Sequence, residues 1–184
     1  LLCLAAMPTN MAGSKIAILK KRKSEAKGNF IFVLITKTKD MITKMTVTNI
    51  HVIDQDSACD FYVNKLGFNL VDDIPMGPET RWLTVSPPEQ PDLQLVLFPV
   101  KVSKMFPKET AEALIGLIKK GVFGCGVLTC NDIFATYEEL KSKGVEFIKP
   151  PTKEFYGTEA LFKDDSGNYF SLQPLNNFND ENNI

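Results

Sequence analysis

The chain has 184 residues, of which 44% are hydrophobic and 23% charged, the composition of a soluble globular protein with a core. Its net charge of −1 combines two unlike regions. Residues 1–45 contain nine Lys or Arg and two Asp or Glu, whereas residues 46–184 contain twelve basic and twenty acidic residues. The acidic surplus of the second region disfavours contact with phosphates, so we expect no nucleic-acid partner.

The first region predicts a basic N-terminal extension over residues 1–45 that is disordered or not native. Met41 and Met45 lie just before the patterned part of the chain and are candidate start residues. An organelle transit peptide is the alternative interpretation, because the segment Lys20–Lys23 is basic and acidic residues are few.

The sequence predicts a cytoplasmic protein without a membrane partner. The apolar run Phe30–Ile35 is six residues long, which is too short to span a bilayer. The four cysteines lack the spacing of a metal knuckle or of a disulfide scaffold, which favours a reducing compartment. They are Cys3, Cys59, Cys125 and Cys130.

The first half of the patterned region begins with a predicted strand at residues 46–53, which is rich in β-forming residues. Asp54 or Asp56 then caps a predicted helix, and Gly67 ends it. Three more strands are predicted at residues 68–73, 80–86 and 92–99.

The second half follows a predicted helix at residues 107–120. A strand at 123–130 leads to another helix, which Asn131 or Asp132 caps and Gly144 ends. Three strands are again predicted to follow, at residues 145–149, 158–163 and 168–174.

The two halves therefore repeat one pattern, since the helix start at Asp54 and its end at Gly67 recur 77–78 residues later. This repeat predicts an α+β fold of two βαβββ modules whose curved mixed sheets enclose a cavity. The predicted domain is 46–175, with a first module at 46–99, a linker helix at 100–121, a second module at 122–175 and a polar tail at 176–184.

Three motifs accompany the repeat. Residues 54–68 read Asp-Gln-Asp-Ser-Ala-Cys-Asp-Phe-Tyr-Val-Asn-Lys-Leu-Gly-Phe, residues 81–85 read Arg-Trp-Leu-Thr-Val, and residues 165–168 read Asp-Ser-Gly-Asn. Together they resemble the vicinal oxygen chelate superfamily, which contains glyoxalase I, extradiol dioxygenases, and bleomycin and fosfomycin resistance proteins. Small bacterial glyoxalase-like members are the most similar. The resemblance implies the fold over residues 46–175, whereas this superfamily hosts many chemistries on one frame.

The resemblance also implies where a metal would lie. Family enzymes usually hold a divalent metal through four inward-facing side chains, mostly His and Glu. The corresponding positions in this chain are Val47, Gln94, Cys125 and Ser171. Val cannot be a ligand, Gln and Ser are weak ligands, and Cys125 is a good one as its thiolate. We therefore expect a degraded metal site and no cofactor, with a divalent metal as the less favoured alternative.

His51 is the one histidine of the chain. It is interpreted as a hydrogen-bonded residue lining the cavity, with ligand contact, or catalysis or metal binding together with Cys125, as alternatives. Strand alternation turns other side chains to the same cavity. The predicted ligand pocket consists of Asn49, His51, Trp82, Gln94, Val96, Phe98, Cys125, Val127, Tyr169 and Ser171, and no catalytic residue is assigned.

Three hypotheses of function follow. The first is a small-molecule binding protein of the bleomycin-resistance type, a homodimer without metal chemistry, whose acidic domain attracts a cationic ligand. The second is a divalent-metal-dependent lyase or dioxygenase of the glyoxalase type. The third is a dimeric scaffold without a ligand. Metal analysis separates the second hypothesis from the others, and a ligand-induced shift in melting temperature separates the first from the third.

Overall fold

The structure is a computed structural model, and it describes residues 17–23, 30–36, 42–77 and 80–175. For the first two segments it describes the backbone. The chain divides into two compact units, Leu1–Lys44 and Met45–Ile184. The predicted polar tail at 176–184 lies outside the described residues. No helix in the described part of the chain is long and apolar enough to cross a membrane.

The first unit contains two antiparallel strands, β1 (Ala17–Lys23) and β2 (Phe30–Thr36). The sequence analysis predicts no regular structure here, so the two strands are a difference. The aromatic and β-branched residues of Phe30–Ile35 have high strand propensity, which is a physical reason for them to pair. That residues 1–45 are an extension of the domain stays a prediction.

The first module of the second unit follows the predicted order of elements. Its helix continues without a break into a π-helical turn. The elements are β3 (Val47–Val52), α1 (Gln55–Asp60), the π-helical turn Phe61–Lys65, β4 (Asn69–Pro75), β5 (Arg81–Ser86) and β6 (Gln94–Pro99).

The second module repeats this order after the linker helix α2 (Lys108–Lys119). Its elements are β7 (Gly124–Cys130), α3 (Ile133–Ser142), β8 (Glu146–Glu154), β9 (Gly157–Lys163) and β10 (Tyr169–Pro174). Strand β8 is five residues longer at its end than predicted and passes through Pro150 and Pro151. Because β8 lies at the edge of its sheet, prolines without an N–H donor are tolerated there.

The two modules form equivalent sheets. The strand orders are β3-β6-β5-β4 and β7-β10-β9-β8, and neither sheet is closed. In each sheet the first and last strands of the module pair in parallel, while the other neighbours are antiparallel. The predicted α+β fold with two similar modules of mixed sheet is confirmed.

Both module helices begin and end in the same way. The Asp54 carboxylate accepts a hydrogen bond from the backbone N–H of Ser57 at 2.8 Å, and Asp132 caps α3 through two backbone N–H groups. Gly67 and Gly144 follow the helices with φ of 75° and 77°, a conformation that suits glycine. Of the alternatives left open by the sequence, Asp54 and Asp132 are the caps.

One hydrophobic core joins the modules through their helix sides. Tyr62 of the π-helical turn is fully buried, and its ring lies 6.2 Å from the ring of Phe170 in the second sheet. The Tyr62 hydroxyl donates to Asp164 at 2.9 Å. Nearby, the Ser166 hydroxyl accepts from the N–H of Ile53, and the Asn168 amide donates to the carbonyl of His51. We call residues 164–168, with Tyr62, the module junction.

Candidate functional site

Each sheet has a helix side in the core and an opposite side, which we call its open face. On β3, Ile50 and Val52 are buried in the core, so Val47, Asn49 and His51 alternate to the open face. The shared core lies on the helix sides of both modules, and therefore the open faces point away from it.

The first open face contains six of the ten predicted pocket residues. Pairing places Asn49 beside Val96 and His51 beside Phe98, in the alternation that the sequence predicts. Trp82 is 37% exposed, whereas Val96 is buried on this face. The members of the predicted pocket on this face are Asn49, His51, Trp82, Gln94, Val96 and Phe98.

Aromatic contacts hold one end of the first open face. The His51 ring makes edge-on contacts with the rings of Phe98 at 5.9 Å and of Phe106 at 6.0 Å. Phe106 comes from the segment before α2 and was not predicted as a site residue. An imidazole packed between two aromatic rings is well placed for stacking or for contact with an apolar ligand.

Thr84 is a polar group buried on the same face that the sequence analysis missed. Its hydroxyl donates to the Asp72 carboxylate at 3.2 Å and accepts from the backbone N–H of Asp72 at 3.1 Å. Thr84 also lies opposite Val96 in the pairing of β5 with β6. The alternation of β5 that placed Trp82 on this face could have identified Thr84 as well.

The second open face contains the other four predicted residues. Ser171 lies opposite Val127, and the Tyr169 ring lies against Gly124, where a Cβ would be 2.7 Å from it. Cys125 sits at the position where the pairing between β7 and β10 shifts by one residue. Val127 is 55% exposed and Ser171 is 8% exposed.

A network of polar side chains occupies this second face, and we call it the Glu159 network. Lys149 donates to the Glu159 carboxylate at 2.8 Å and to Glu154 at 2.9 Å. The hydroxyls of Ser171 and Tyr156 also donate to Glu159, at 2.7 Å and 3.0 Å. The network consists of Lys149, Glu154, Tyr156, Glu159 and Ser171, together with Gln173, whose amide donates to the Ser171 hydroxyl.

Electrostatics keep the Glu159 network charged. Burial by itself raises the pKa of Glu159, but hydrogen bonds from Lys149, Ser171 and Tyr156 outweigh it and lower that pKa to about 2. The same bonds raise the pKa of Lys149. The sequence analysis named Ser171 but not Lys149 or Glu159, because it assigned no face to β9. The alternation of Glu159 with buried Ala160 and Phe162 is the signal that could have found it.

The residues at the expected metal positions do not fit a metal. Val47 has no donor atom, and Ser171 is already bonded to Glu159 and Gln173. Within residues 42–77 and 80–175, no three His, Cys, Asp or Glu side chains are grouped to hold an ion. Whether the protein binds a metal stays a prediction, and no step of chemistry is derived through one.

The strand register also changes one assumption of the sequence analysis. Val52 pairs with Pro99 as Cys130 pairs with Pro174. Counting back from these ends, the counterpart of Ser171 is Val96, and the counterpart of Gln94 is Tyr169. The assumed equivalence of Gln94 with Ser171 is therefore wrong, because the last strands of the modules differ in length from their turns. Val96 is no better a ligand than Gln94.

Cys125 is not set up as a reactive thiol. Although the residue is exposed as a whole, loss of hydration around its thiol and the nearby Asp164 carboxylate raise its pKa to about 12. A thiol with this pKa is almost entirely protonated at neutral pH, and the thiolate is the form that binds metals and attacks electrophiles.

Two cavities lie away from the open faces. A cavity of about 540 Å³ opens between the modules on the helix side of the second sheet, and Val127 is the predicted pocket residue that lines it. A smaller cavity of about 280 Å³ lies beside Arg81. The guanidinium of Arg81 already contacts Asp56 at 2.6 Å and Asp73 at 3.2 Å, so its charge is largely balanced within the protein.

Comparison with known proteins agrees with this architecture. A sequence model of the Glyoxalase/Bleomycin resistance protein/Dioxygenase superfamily matches residues 40–172. The chain belongs to this superfamily. Uncharacterized protein YetH of Bacillus subtilis (strain 168), a similar protein, is 38% identical over 133 residues, which are 72% of this chain and 99% of YetH.

Two solved structures are similar to this glyoxalase-superfamily chain. UcmS2 is 46% identical with a TM-score of 0.68, over 72% of this chain and 98% of UcmS2. TnmS3, described as an antibiotic binding protein from Streptomyces sp. CB03234, is 30% identical with a TM-score of 0.57, over 73% of this chain and 98% of TnmS3. The similarity therefore covers the two modules and nearly the whole of each relative.

Proposed function

We propose that this glyoxalase-superfamily protein binds a small organic molecule on its open faces without using a metal. The observation that carries the proposal is the donor set: Val47 and an engaged Ser171 stand where metal ligands are expected. The open faces instead present aromatic and polar side chains together, which is the composition of small-molecule sites.

The two open faces offer complementary contacts. Trp82, Phe98 and His51 supply aromatic surface on the first face, and the Glu159 network supplies fixed charges and hydroxyl groups on the second. The similarity to an antibiotic binding protein supports ligand binding as the role of such faces in this superfamily. The surplus of carboxylates in residues 46–184 favours a ligand with positive charge.

A homodimer is part of this proposal. Large apolar side chains remain exposed on one chain: Val47 is 41% exposed, Ile74 51% and Val127 55%. A contiguous apolar surface of this kind usually marks an interface. A second copy that covers the open faces would exclude water from them and hold the ligand between protomers.

We also propose a cytoplasmic location. Cys59, Cys125 and Cys130 are free thiols, which suits a reducing compartment. Measurement of free thiols in protein taken directly from cells should give reduced cysteines at these three positions.

Two measurements test the proposed function. Trp82 is the one tryptophan of the chain, so its fluorescence reports directly on the first open face. Titration with bleomycin, as a cationic probe, and with uncharged aromatic fragments should change Trp82 emission and raise the melting temperature for at least one compound. The variant Trp82→Phe controls for compounds that absorb at the same wavelengths.

Metal analysis tests the alternative enzyme. Protein purified without chelator should contain well under one divalent ion per chain, and EDTA should leave its melting temperature unchanged. One tightly bound ion per chain, with a large loss of stability on chelation, would contradict the proposal and favour the lyase or dioxygenase hypothesis.

A further inference from the structure

The cavity of about 540 Å³ is a second candidate site, distinct from the open faces. Its floor is apolar and consists of residues from both modules that belong to the shared core, such as Phe68, Leu140, Phe162 and Leu172. Its rim is formed by the turn Pro87–Gln90 of the first module and by the last residues of β7. The volume lies in the range of sites that hold small organic groups or several side chains.

One wall of this cavity is a free sheet edge. Strand β7 is the last strand in the order β7-β10-β9-β8, and no strand among residues 42–77 and 80–175 pairs with its other side. The carbonyl of Cys130 accepts from the N–H of Leu175, so the backbone of Cys130 faces β10. Because backbone groups alternate along a strand, those of Val127, Thr129 and Asn131 point to the free edge.

The same three residues line the cavity. The cavity thus combines a row of outward N–H and C=O groups with an apolar floor beside it. Free backbone groups at a sheet edge pair with another extended chain, and apolar pockets next to the edge select its side chains. The charged residue of the lining is Glu89, at the rim, which favours a neutral or basic ligand over an acidic one.

We propose that this cavity binds an extended peptide segment, which adds as a strand to the free edge of β7. The backbone of the peptide bonds to Val127, Thr129 and Asn131. Every second side chain of the peptide enters the apolar cavity, and a basic residue near its end meets Glu89. The site lies on the helix side of the second sheet and is independent of the ligand site proposed above.

The probe is a fluorescein-labelled peptide, Thr-Leu-Thr-Leu-Thr-Lys with blocked ends, followed by fluorescence anisotropy. Its control is the same peptide with N-methyl groups on alternate amides, which cannot donate to a strand. We expect the unmodified peptide to bind at least about 10-fold more tightly than the N-methylated one. Equal affinity of the two peptides, or no binding of either, overturns the proposal.

Two protein variants locate the site. Thr129→Pro removes an N–H that points away from β10, where proline is tolerated on an edge strand. It should weaken peptide binding at least about 10-fold, while its matched control Thr129→Val, which keeps the N–H, stays within about 2-fold. Thr136→Trp places a large side chain in the cavity and should abolish binding.

Sedimentation of each variant separates this site from a contact between copies. If Thr129→Pro or Thr136→Trp changes the oligomeric state, the β7 edge belongs to an interface of the protein with itself and the proposal fails. Because both peptides are compared on the wild-type protein, the central comparison holds even for a variant that does not fold. Peptide binding that Trp82→Phe alters as strongly as Thr136→Trp would also contradict a separate site.

Discussion

The two modules share one scaffold and differ on one side of it. Both have the same strand order, an Asp that caps the helix and a left-handed Gly that follows it. Their helix sides merge into a common core. Their open faces have little in common, since the first carries an aromatic group around His51 and the second carries the Glu159 network.

This difference shows where the fold constrains the sequence. A core side chain must match its neighbours in volume, so equivalent positions on the helix sides are apolar in both modules. Open-face positions are restricted mainly by alternation, and they vary in charge and size. Functional specialisation of the duplicated unit is therefore expected on the open faces, and stability is expected to depend on the helix sides and the module junction.

The largest effect is predicted at the module junction, where the comparison between modules breaks down because both depend on it. Asp164 is buried and accepts hydrogen bonds from Tyr62, from the Asn168 amide and from three backbone N–H groups of its own turn. Asp164→Ala leaves these donors unsatisfied, so the free energy of unfolding should fall by about 3 kcal/mol or more. Urea unfolding followed by circular dichroism measures this loss.

Tyr62→Phe is the matched control for Asp164. It removes one hydroxyl donor and keeps the ring in the core, and it should cost about 1 kcal/mol. If Asp164→Ala costs no more than Tyr62→Phe, the junction is not the shared stabilising element inferred above.

The next effect concerns the second open face. Because the pKa of Glu159 is held at about 2 in the folded protein, below its ordinary value of 4.5, its contribution is present above pH 4.5 and is lost as the pH falls towards 2. Allowing for solvent screening, Glu159→Gln should lower the free energy of unfolding at pH 7 by about 2 kcal/mol. Urea unfolding at several pH values measures both quantities.

The pH profile distinguishes this charge from general acid denaturation. Wild-type stability should decline between pH 4.5 and pH 2 more steeply than that of Glu159→Gln, so the two curves converge at low pH. Parallel curves would show that the Glu159 network does not stabilise the folded state through charge.

The fold was largely readable from the sequence, for a physical reason that does not extend to the site. Helix caps, glycines after helices and apolar alternation are local signals, and they predicted the order of elements correctly. The Glu159 network joins Lys149 on β8 to Glu159 on β9 and Ser171 on β10, so it depends on the register between strands, which local patterns do not determine.

The same limitation explains two particular errors. The assumed equivalence of Gln94 with Ser171 rested on one sequence offset for the whole module, whereas the pairing of β7 with β10 has its own shift at Cys125. The prediction that β8 ends at residue 149 rested on Pro150 and Pro151, which interrupt a central strand but not an edge strand. Both outcomes required knowledge of which strands are neighbours.

A smaller effect is predicted on the first open face. Thr84→Val keeps the shape of the side chain and removes both hydrogen bonds with Asp72. It should lower the free energy of unfolding by about 1 kcal/mol, less than Glu159→Gln, because neutral hydrogen bonds contribute less than charged ones. A loss equal to that of Glu159→Gln in urea unfolding at pH 7 would contradict the assigned difference between the two faces.

The smallest effect is predicted at Trp82, which separates binding from stability within one strand. Trp82 is 37% exposed on the open face of β5, so Trp82→Phe removes little buried surface and should change the free energy of unfolding by about 0.5 kcal/mol or less. Val85 lies on the other side of the same strand and is fully buried, and Val85→Ala should cost about 2 kcal/mol because it leaves a cavity in the core. Ligand binding should respond in the opposite order: Trp82→Phe should weaken any compound that shifts Trp82 emission, and Val85→Ala should leave its affinity nearly unchanged. If the two variants instead lose stability equally, the open face of the first module is part of the core and the division of each sheet into a stabilising side and a binding side is wrong.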